Sequence, residues 1–194
     1  MRHATLDVIQ DEHQALSAML RSMSLLLAEA RRHDTQPDFA VLRAMLFYVE
    51  EFPERLHHTK ESALLFPKVR ERAPALAPVL DRLETEHTNG EMAIRHLEHA
   101  LLAYEVMGDS RRSAFELALA SYTDFYFRHM ATEEQQVLPA ARAHFSEADW
   151  TELDLAFAEN RDPLTGHEPD DSYRPLFQKI LMSAPAPIGL GPAN

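Results

Sequence analysis

His57-His58-Thr59-Lys60-Glu61-Ser62-Ala63-Leu64-Leu65-Phe66-Pro67 and His129-Met130-Ala131-Thr132-Glu133-Glu134-Gln135-Gln136-Val137-Leu138-Pro139 are two copies of one pattern, 72 residues apart. Each is His-x-x-x-Glu followed by Leu and Pro at matching offsets. Each also has a Glu-His pair upstream: His13 of Glu12-His13 precedes His57 by 44 residues, and His87 of Glu86-His87 precedes His129 by 42. The chain therefore carries one unit twice, with the spacing of a helical hairpin. Four His and two Glu in such a doubled arrangement point to a site for two metal ions.

The neighbouring apolar residues place these side chains on helices. Ile9, His13, Leu16, Leu20, Met23, Leu27 and Ala30 recur in steps of three and four, which is one face of a helix. That helix is expected to end near His33 to Asp38. A second runs from about Phe39 to about Arg70, through Leu46, Val49, Pro53, His57, Glu61 and Leu64. A third carries Leu76, Leu80, Leu83, His87, Gly90, Ile94, Leu97, Leu101 and Tyr104, and stops at Gly108-Asp109. The fourth carries Phe115, Leu119, Tyr122, Tyr126, His129, Glu133, Gln136 and Ala140. Each key His lies inside its helix's apolar stripe and should face the core.

Residues at one level of an up-down bundle are equidistant from the turn that joins their helices. The midpoints of His13/His57, His57/His87 and His87/His129 are residues 35, 72 and 108. All three fall on turn signals: His33–Asp38, the Ala- and Pro-rich stretch from Glu71 to Pro78, and Gly108. The expected architecture is an all-α, up-down-up-down four-helix bundle with short C-terminal helices and a tail. Residues 1–160 form the bundle. Residues 161–194 form an extension, with Tyr173, Leu176, Phe177, Ile180 and Leu181 packing on the bundle or on a partner subunit of a homodimer. Pro53 should kink or split the second helix, since it cannot donate to the helical ladder. Pro67 and Pro139 should bend or end theirs.

Composition narrows the function. Of 194 residues, 45% are hydrophobic and only five are Gly, which suits a helical globular domain. A net charge of −12 argues against nucleic-acid and anionic-membrane partners. The absence of Cys excludes disulfides and thiolate metal ligation. No long apolar run or cleavable signal is visible, so a cytoplasmic location is expected.

Residues four apart on a helix differ by about 40° in azimuth and about 6 Å in rise. His57 with Glu61, and His129 with Glu133, can therefore serve one cavity. Imidazole suits iron, zinc and copper, and a carboxylate can bridge two cations. Four His and two Glu leave each metal an open position for a small ligand. His58 lies about 100° from His57 and is expected on a flank. Glu91 stands to His87 as Glu61 does to His57, and is a candidate seventh ligand or hydrogen-bond partner. Glu134 adjoins the site in sequence. Tyr122 and Tyr126 are expected in the core, where a phenol could donate to a bound oxygen species. His3, His33, His96, His99, His144 and His167 are expected to face solvent.

The two Glu-His pairs and the two His-x-x-x-Glu segments together resemble the hemerythrin-like HHE cation-binding domain, over roughly residues 5–145. The resemblance implies an oxo- or hydroxo-bridged non-haem di-iron centre, two irons per chain, with zinc or manganese as substitutes. Its implied ligands are His13, His57, Glu61, His87, His129 and Glu133, with both Glu bridging. Oxygen-carrying members place a His four residues after the third ligand His, where this chain has Glu91. They use an Asp five residues after the last His, where this chain has Glu134. The set is closer to that of bacterial iron-centre repair proteins, although their cysteine-containing segment is not among these residues. The resemblance implies binding of, or reaction with, O2, NO or peroxide, in sensing, detoxification or iron handling. An iron donor or store for iron-sulfur cluster repair, and a non-catalytic helical interaction module, are the alternatives.

Overall fold

The apolar stripes become four long helical rods: α1 is Ala4–Arg32, α2 spans residues 39–72, α3 is Ala77–Met107 and α4 spans residues 112–144. The computed structural model describes residues 3–186 and 188–190, and no strand occurs among them; the end of the expected extension, residues 191–194, lies outside the described residues. Asp38 opens α2 by accepting a hydrogen bond from the Val41 N–H, which satisfies one of the free donors of a helix start. A 3-10 turn at Pro74–Leu76 joins α2 to α3. Gly108, at φ 76°, closes α3 in a conformation that few other residues tolerate. The midpoints at residues 35 and 108 fall in the first and third links, and that at 72 falls on the last residue of α2, beside the second link.

α1 and α3 each pack against both α2 and α4. Two shorter helices follow. α5 (Glu147–Phe157) starts at a capping box between Ser146 and Asp149 and lies on α1; α6 (Arg174–Ser183) lies on α2. Phe177 and Ile180 of α6 are buried in the same core as Leu20, Met45 and Tyr48, so they complete the core of their own chain.

The core has two apolar parts. One gathers Leu16, Met19, Met23, Met45, Ile94, Leu101, Tyr104 and Phe115. The other gathers Leu6, Ile9, Phe66, Leu80, Leu83, Val137, Trp150 and Phe157. The two parts are built from opposite ends of the same rods. His13, His57 and His87 fall between them in the sequence of their rods, and His129 stands at the edge of the first part, next to Met130. Burying one large apolar side chain contributes about 1.5–3 kcal/mol, and such packing on both sides can hold a polar layer in place.

The prolines neither split nor stop the rods. α2 passes through π-helical turns at Glu50–His57 and Glu61–Leu65, and α4 through one at Glu133–Val137. In each case the residue after the π turn donates five residues back: His58 to Pro53, Phe66 to Glu61 and Leu138 to Glu133. A proline ring clashes with the carbonyl four residues earlier, and a wider turn relieves that clash without ending the helix. Pro67 and Pro139 each stand two residues past the last residue of a π turn, on matching points of the two copies, and their rods run on to residues 72 and 144.

Gly90 of α3 is buried where Glu54 of α2 and Tyr126 of α4 meet. A Cβ there would overlap the Tyr126 hydroxyl and come within 3.0 Å of Glu54 Oε2. Gly90→Ala should therefore destabilise the protein by about 1–3 kcal/mol, the usual cost of overpacking. Urea unfolding measures this, and an unchanged or raised midpoint would contradict the packing described.

Candidate metal centre

The four rods bring His13, His57, His87 and His129 to one level, with Glu61 and Glu133 between them. All six are buried, and Glu61 and Glu133 are 0% exposed. Glu61 Oε2 is 3.3 Å from His57 Nε2 and 3.6 Å from His87 Nε2. Glu133 Oε2 is 3.3 Å from His13 Nε2, while its Oε1 is 3.2 Å from His129 Nε2 and 3.8 Å from His87 Nε2. Each carboxylate thus faces imidazoles from both halves of the repeat.

The other nitrogen of each ring is held from outside. His57 Nδ1 donates to Glu12 at 2.7 Å, and His129 Nδ1 donates to Glu86 at 3.0 Å. His13 Nδ1 donates to Glu134 at 2.9 Å, and His87 Nδ1 pairs with the Ser62 hydroxyl at 2.8 Å. An ionised carboxylate can only accept, so Nδ1 must carry the proton and a neutral ring turns its Nε2 lone pair inward. This is the arrangement in which outer partners orient metal-binding imidazoles. The Glu of each Glu-His pair thereby acquires a role, holding the His of the downstream His-x-x-x-Glu. The sequence signal for it was there, because Glu12 and Glu86 repeat together with their His.

His58 departs from the sequence expectation. It is buried at 4% exposure and stacks on His87, with ring centroids 4.3 Å apart. The rotation of about 100° per residue that put it on a flank holds for an α-helix. The π turn at Glu50–His57 spreads extra residues over each turn and so rotates less per residue. His57 and His58 then straddle the interior, the first beside His13 and the second beside His87 and His129. His58 Nδ1 donates to Glu54 at 3.1 Å. Glu54, which no sequence motif singles out, is 3% exposed and also accepts from the hydroxyls of Tyr122, at 2.7 Å, and Tyr126. The two phenols are therefore buried as expected, but they serve Glu54. Glu91 is exposed at the rim of a cleft over His58 and His87, together with Glu84. Glu134 holds His13 from a partly exposed position. His33, His96, His99, His144 and His167 face solvent. His3 does not: it stacks on Trp150 at 4.1 Å, because α5 folds back over the start of α1.

Two groups could each hold a cation: His13, His57, Glu61 and Glu133, and His58, Glu61, His87 and His129, each with ligand atoms within 4.8 Å of one another. The remaining chemistry fits that use. His13 Nε2, His57 Nε2 and all four carboxylate oxygens of Glu61 and Glu133 are buried without a hydrogen-bond partner. His87 Nε2 faces His129 Nε2 at 3.1 Å. Buried polar atoms are normally paired, and orphans at this density need a shared partner. A small cavity of about 10 Å³, room for one water-sized molecule, lies beside His13, His57 and His58.

Burial opposes protonation of His13, His57 and His129, yet the surrounding Glu residues outweigh it and raise all three, His129 to about 10. Burial likewise opposes the Glu133 charge, but His129 holds its carboxyl well below the usual range. Burial pushes His58 well below its ordinary value. A raised imidazole pKa stabilises the fold fully below about 6.5 and loses that contribution as pH climbs through the folded-state value. The metal-free protein should therefore lose melting temperature steadily between about pH 6.5 and 10. A cation takes the place of those protons, so metal affinity should rise over the same window. Thermal melts of chelated and metal-loaded protein check both, and a flat metal-free profile would contradict the charge pairing.

A family profile described as the hemerythrin HHE cation-binding domain matches residues 4–141. No curated protein matches the chain. The match covers all four rods through the second His-x-x-x-Glu segment and leaves α5 and α6 outside. With its buried His and Glu groups, the chain is a metal-binding helical protein that belongs to the hemerythrin HHE cation-binding family.

Proposed function

We propose that this chain is a non-haem di-iron protein that binds or reacts with a small ligand of the O2, NO or peroxide class. The observation that carries the reading is that Glu61 and Glu133 each face imidazoles of both halves, as bridging carboxylates would. In this reading His13 and His57 hold one iron, and His87 and His129 hold the other, with His58 as a fifth imidazole. Glu91 stays outside. The course of α1 to α4 is up-down-up-down, as the short links between rods and the common level of the four His support.

Mixed imidazole and carboxylate donors without thiolate suit iron. Iron bound here would supply Lewis acidity and one-electron redox chemistry. The chain's own residues do the rest. Glu12, Glu86 and Glu134 fix the tautomer and aim of three rings, and Ser62 aims that of His87. The apolar clusters on either side keep bulk water out. The cavity beside His13 and His57 is small, which favours a ligand of very few atoms.

The two halves are unequal. The residue 72 positions after His58 is Met130, a thioether where the first copy has an imidazole. The His13/His57 half therefore has fewer nitrogen donors and adjoins the cavity, which Met130 also lines. That half is where an outside ligand would bind.

A second reading, an iron donor or store, is favoured by the open cleft that Glu84 and Glu91 line above His87. It predicts that a chelator strips iron within minutes, whereas the ligand-binding reading predicts retention.

His57→Ala and Glu61→Ala should each reduce iron binding from two per chain to one or none. Glu12→Gln, which meets His57 only at its far nitrogen and keeps an acceptor for Asn160, should weaken binding by about 10–100-fold. Metal analysis after anaerobic iron loading and desalting reads both effects. Full retention of two irons in His57→Ala and Glu61→Ala would sink the assignment.

A further inference from the structure

The segment between α5 and α6 lies beyond the family-matched residues, yet it returns to the metal centre. Asn160 is 3% exposed, and its amide donates to Glu12 Oε2 at 3.1 Å, the same oxygen that holds His57. Two residues on, Asp162 is also 3% exposed and lines the small cavity with Glu12, His13, His57 and His58. The start of the 3-10 turn at Pro163–Thr165 fixes it there: Asp162 Oδ1 accepts from the Leu164 N–H at 2.9 Å. Its Oδ2 accepts from the Tyr48 hydroxyl at 2.6 Å.

These partners matter for charge. Glu12, the other carboxylate on the cavity wall, is matched by His57 and Asn160. The two donors to Asp162 are neutral, a phenol and a backbone amide, so its negative charge is left to act on whatever enters. Burial pushes its pKa up to about 6, against which the Tyr48 hydroxyl and the Leu164 N–H favour the charged form. Each carboxylate oxygen can accept a second hydrogen bond, so the group still has capacity for a donor within the cavity.

We propose that Asp162 selects the ligand of this centre: it favours a small neutral molecule that brings its own O–H, water or hydrogen peroxide, and rejects small anions. The inference rests on the di-iron reading above, since the cavity adjoins the His13/His57 half. An O–H donor gains a hydrogen bond to the Asp162 carboxylate. An anion of the same size meets a fixed like charge in a dry pocket, where repulsion is far stronger than in water.

The test uses the full iron-loaded chain and two variants. Asp162→Asn keeps the shape and the acceptor for Leu164 but removes the charge. Tyr48→Phe strips one of the two donors that favour the charged form of Asp162 and keeps the side chain itself. Fluoride, an anion close to water in size, is titrated against the ferric protein by absorption. The spectral change on adding hydrogen peroxide is timed by stopped flow, and iron per chain is measured on every sample. The expected result is fluoride binding at least tenfold tighter and peroxide reaction at least tenfold slower in Asp162→Asn, with two irons retained. Tyr48→Phe should tighten fluoride in the same direction by a smaller factor. Wild-type fluoride affinity in a fully loaded Asp162→Asn would overturn the inference and leave the di-iron reading standing. Loss of iron from Asp162→Asn would overturn it too, because Asp162 would then support the metal itself. A wild-type chain that takes up no iron would overturn both.

Discussion

Two carboxylates and five imidazoles share one buried layer between two apolar clusters, and that arrangement is unfavourable unless a positive charge sits among them. Glu61 and Glu133 have four oxygens with no hydrogen-bond partner, at a depth where bulk water does not reach. Protons can stand in, which is why three of the rings are held above their ordinary pKa. At the other side of the layer the Nε2 atoms of His87 and His129 face each other at 3.1 Å, aimed at one point. A divalent cation meets both needs, giving the carboxylates a partner and the Nε2 lone pairs a common target. The rest of the molecule can be understood as the scaffold for that layer. Four rods place it, three short links set its level, and five outer partners aim its rings.

The doubled sequence gives the centre an approximate twofold pattern. Glu12 holds His57 as Glu86 holds His129, and Glu134 holds His13 as Ser62 holds His87. Function enters where the pattern fails. His58 corresponds to Met130, so one half gains an imidazole and the other a thioether beside a cavity. Glu54 corresponds to Tyr126, and here the two members of the pair meet across the bundle over Gly90. The C-terminal segment adds a second asymmetry, since Asn160 meets Glu12 behind His57 and Asp162 lines the cavity beside His13, His57 and His58.

Much of this was legible in the residues. The His-x-x-x-Glu repeat, the Glu-His pairs and the turn signals at their midpoints led to four helices and to the six residues at the centre. What was hidden has physical reasons. Ideal α-helical geometry misplaced His58, because π turns around Pro53 change the phase of α2, and period counting assumes a constant 3.6 residues per turn. The same kind of turn carries α2 and α4 past Pro67 and Pro139, where a helix end was expected. Glu54 was overlooked because a Glu in a helix usually faces solvent, and nothing local reveals that two tyrosines 68 and 72 residues away will cover it. Asp162 and Asn160 sit in a Pro- and Asp-rich stretch that reads as a linker. Their role follows only from where α5 turns the chain.

Everything proposed for this centre depends on Glu61 and Glu133 bridging two metal ions. Diffraction from crystals of the iron-loaded chain, recorded at the iron absorption edge, would locate those ions without reference to activity. Two anomalous peaks are expected within one buried layer, the first beside His13 and His57 and the second beside His58, His87 and His129, both in contact with Glu61 and Glu133. A single peak, or peaks confined to the exposed cleft at Glu84 and Glu91, would rule the bridged pair out.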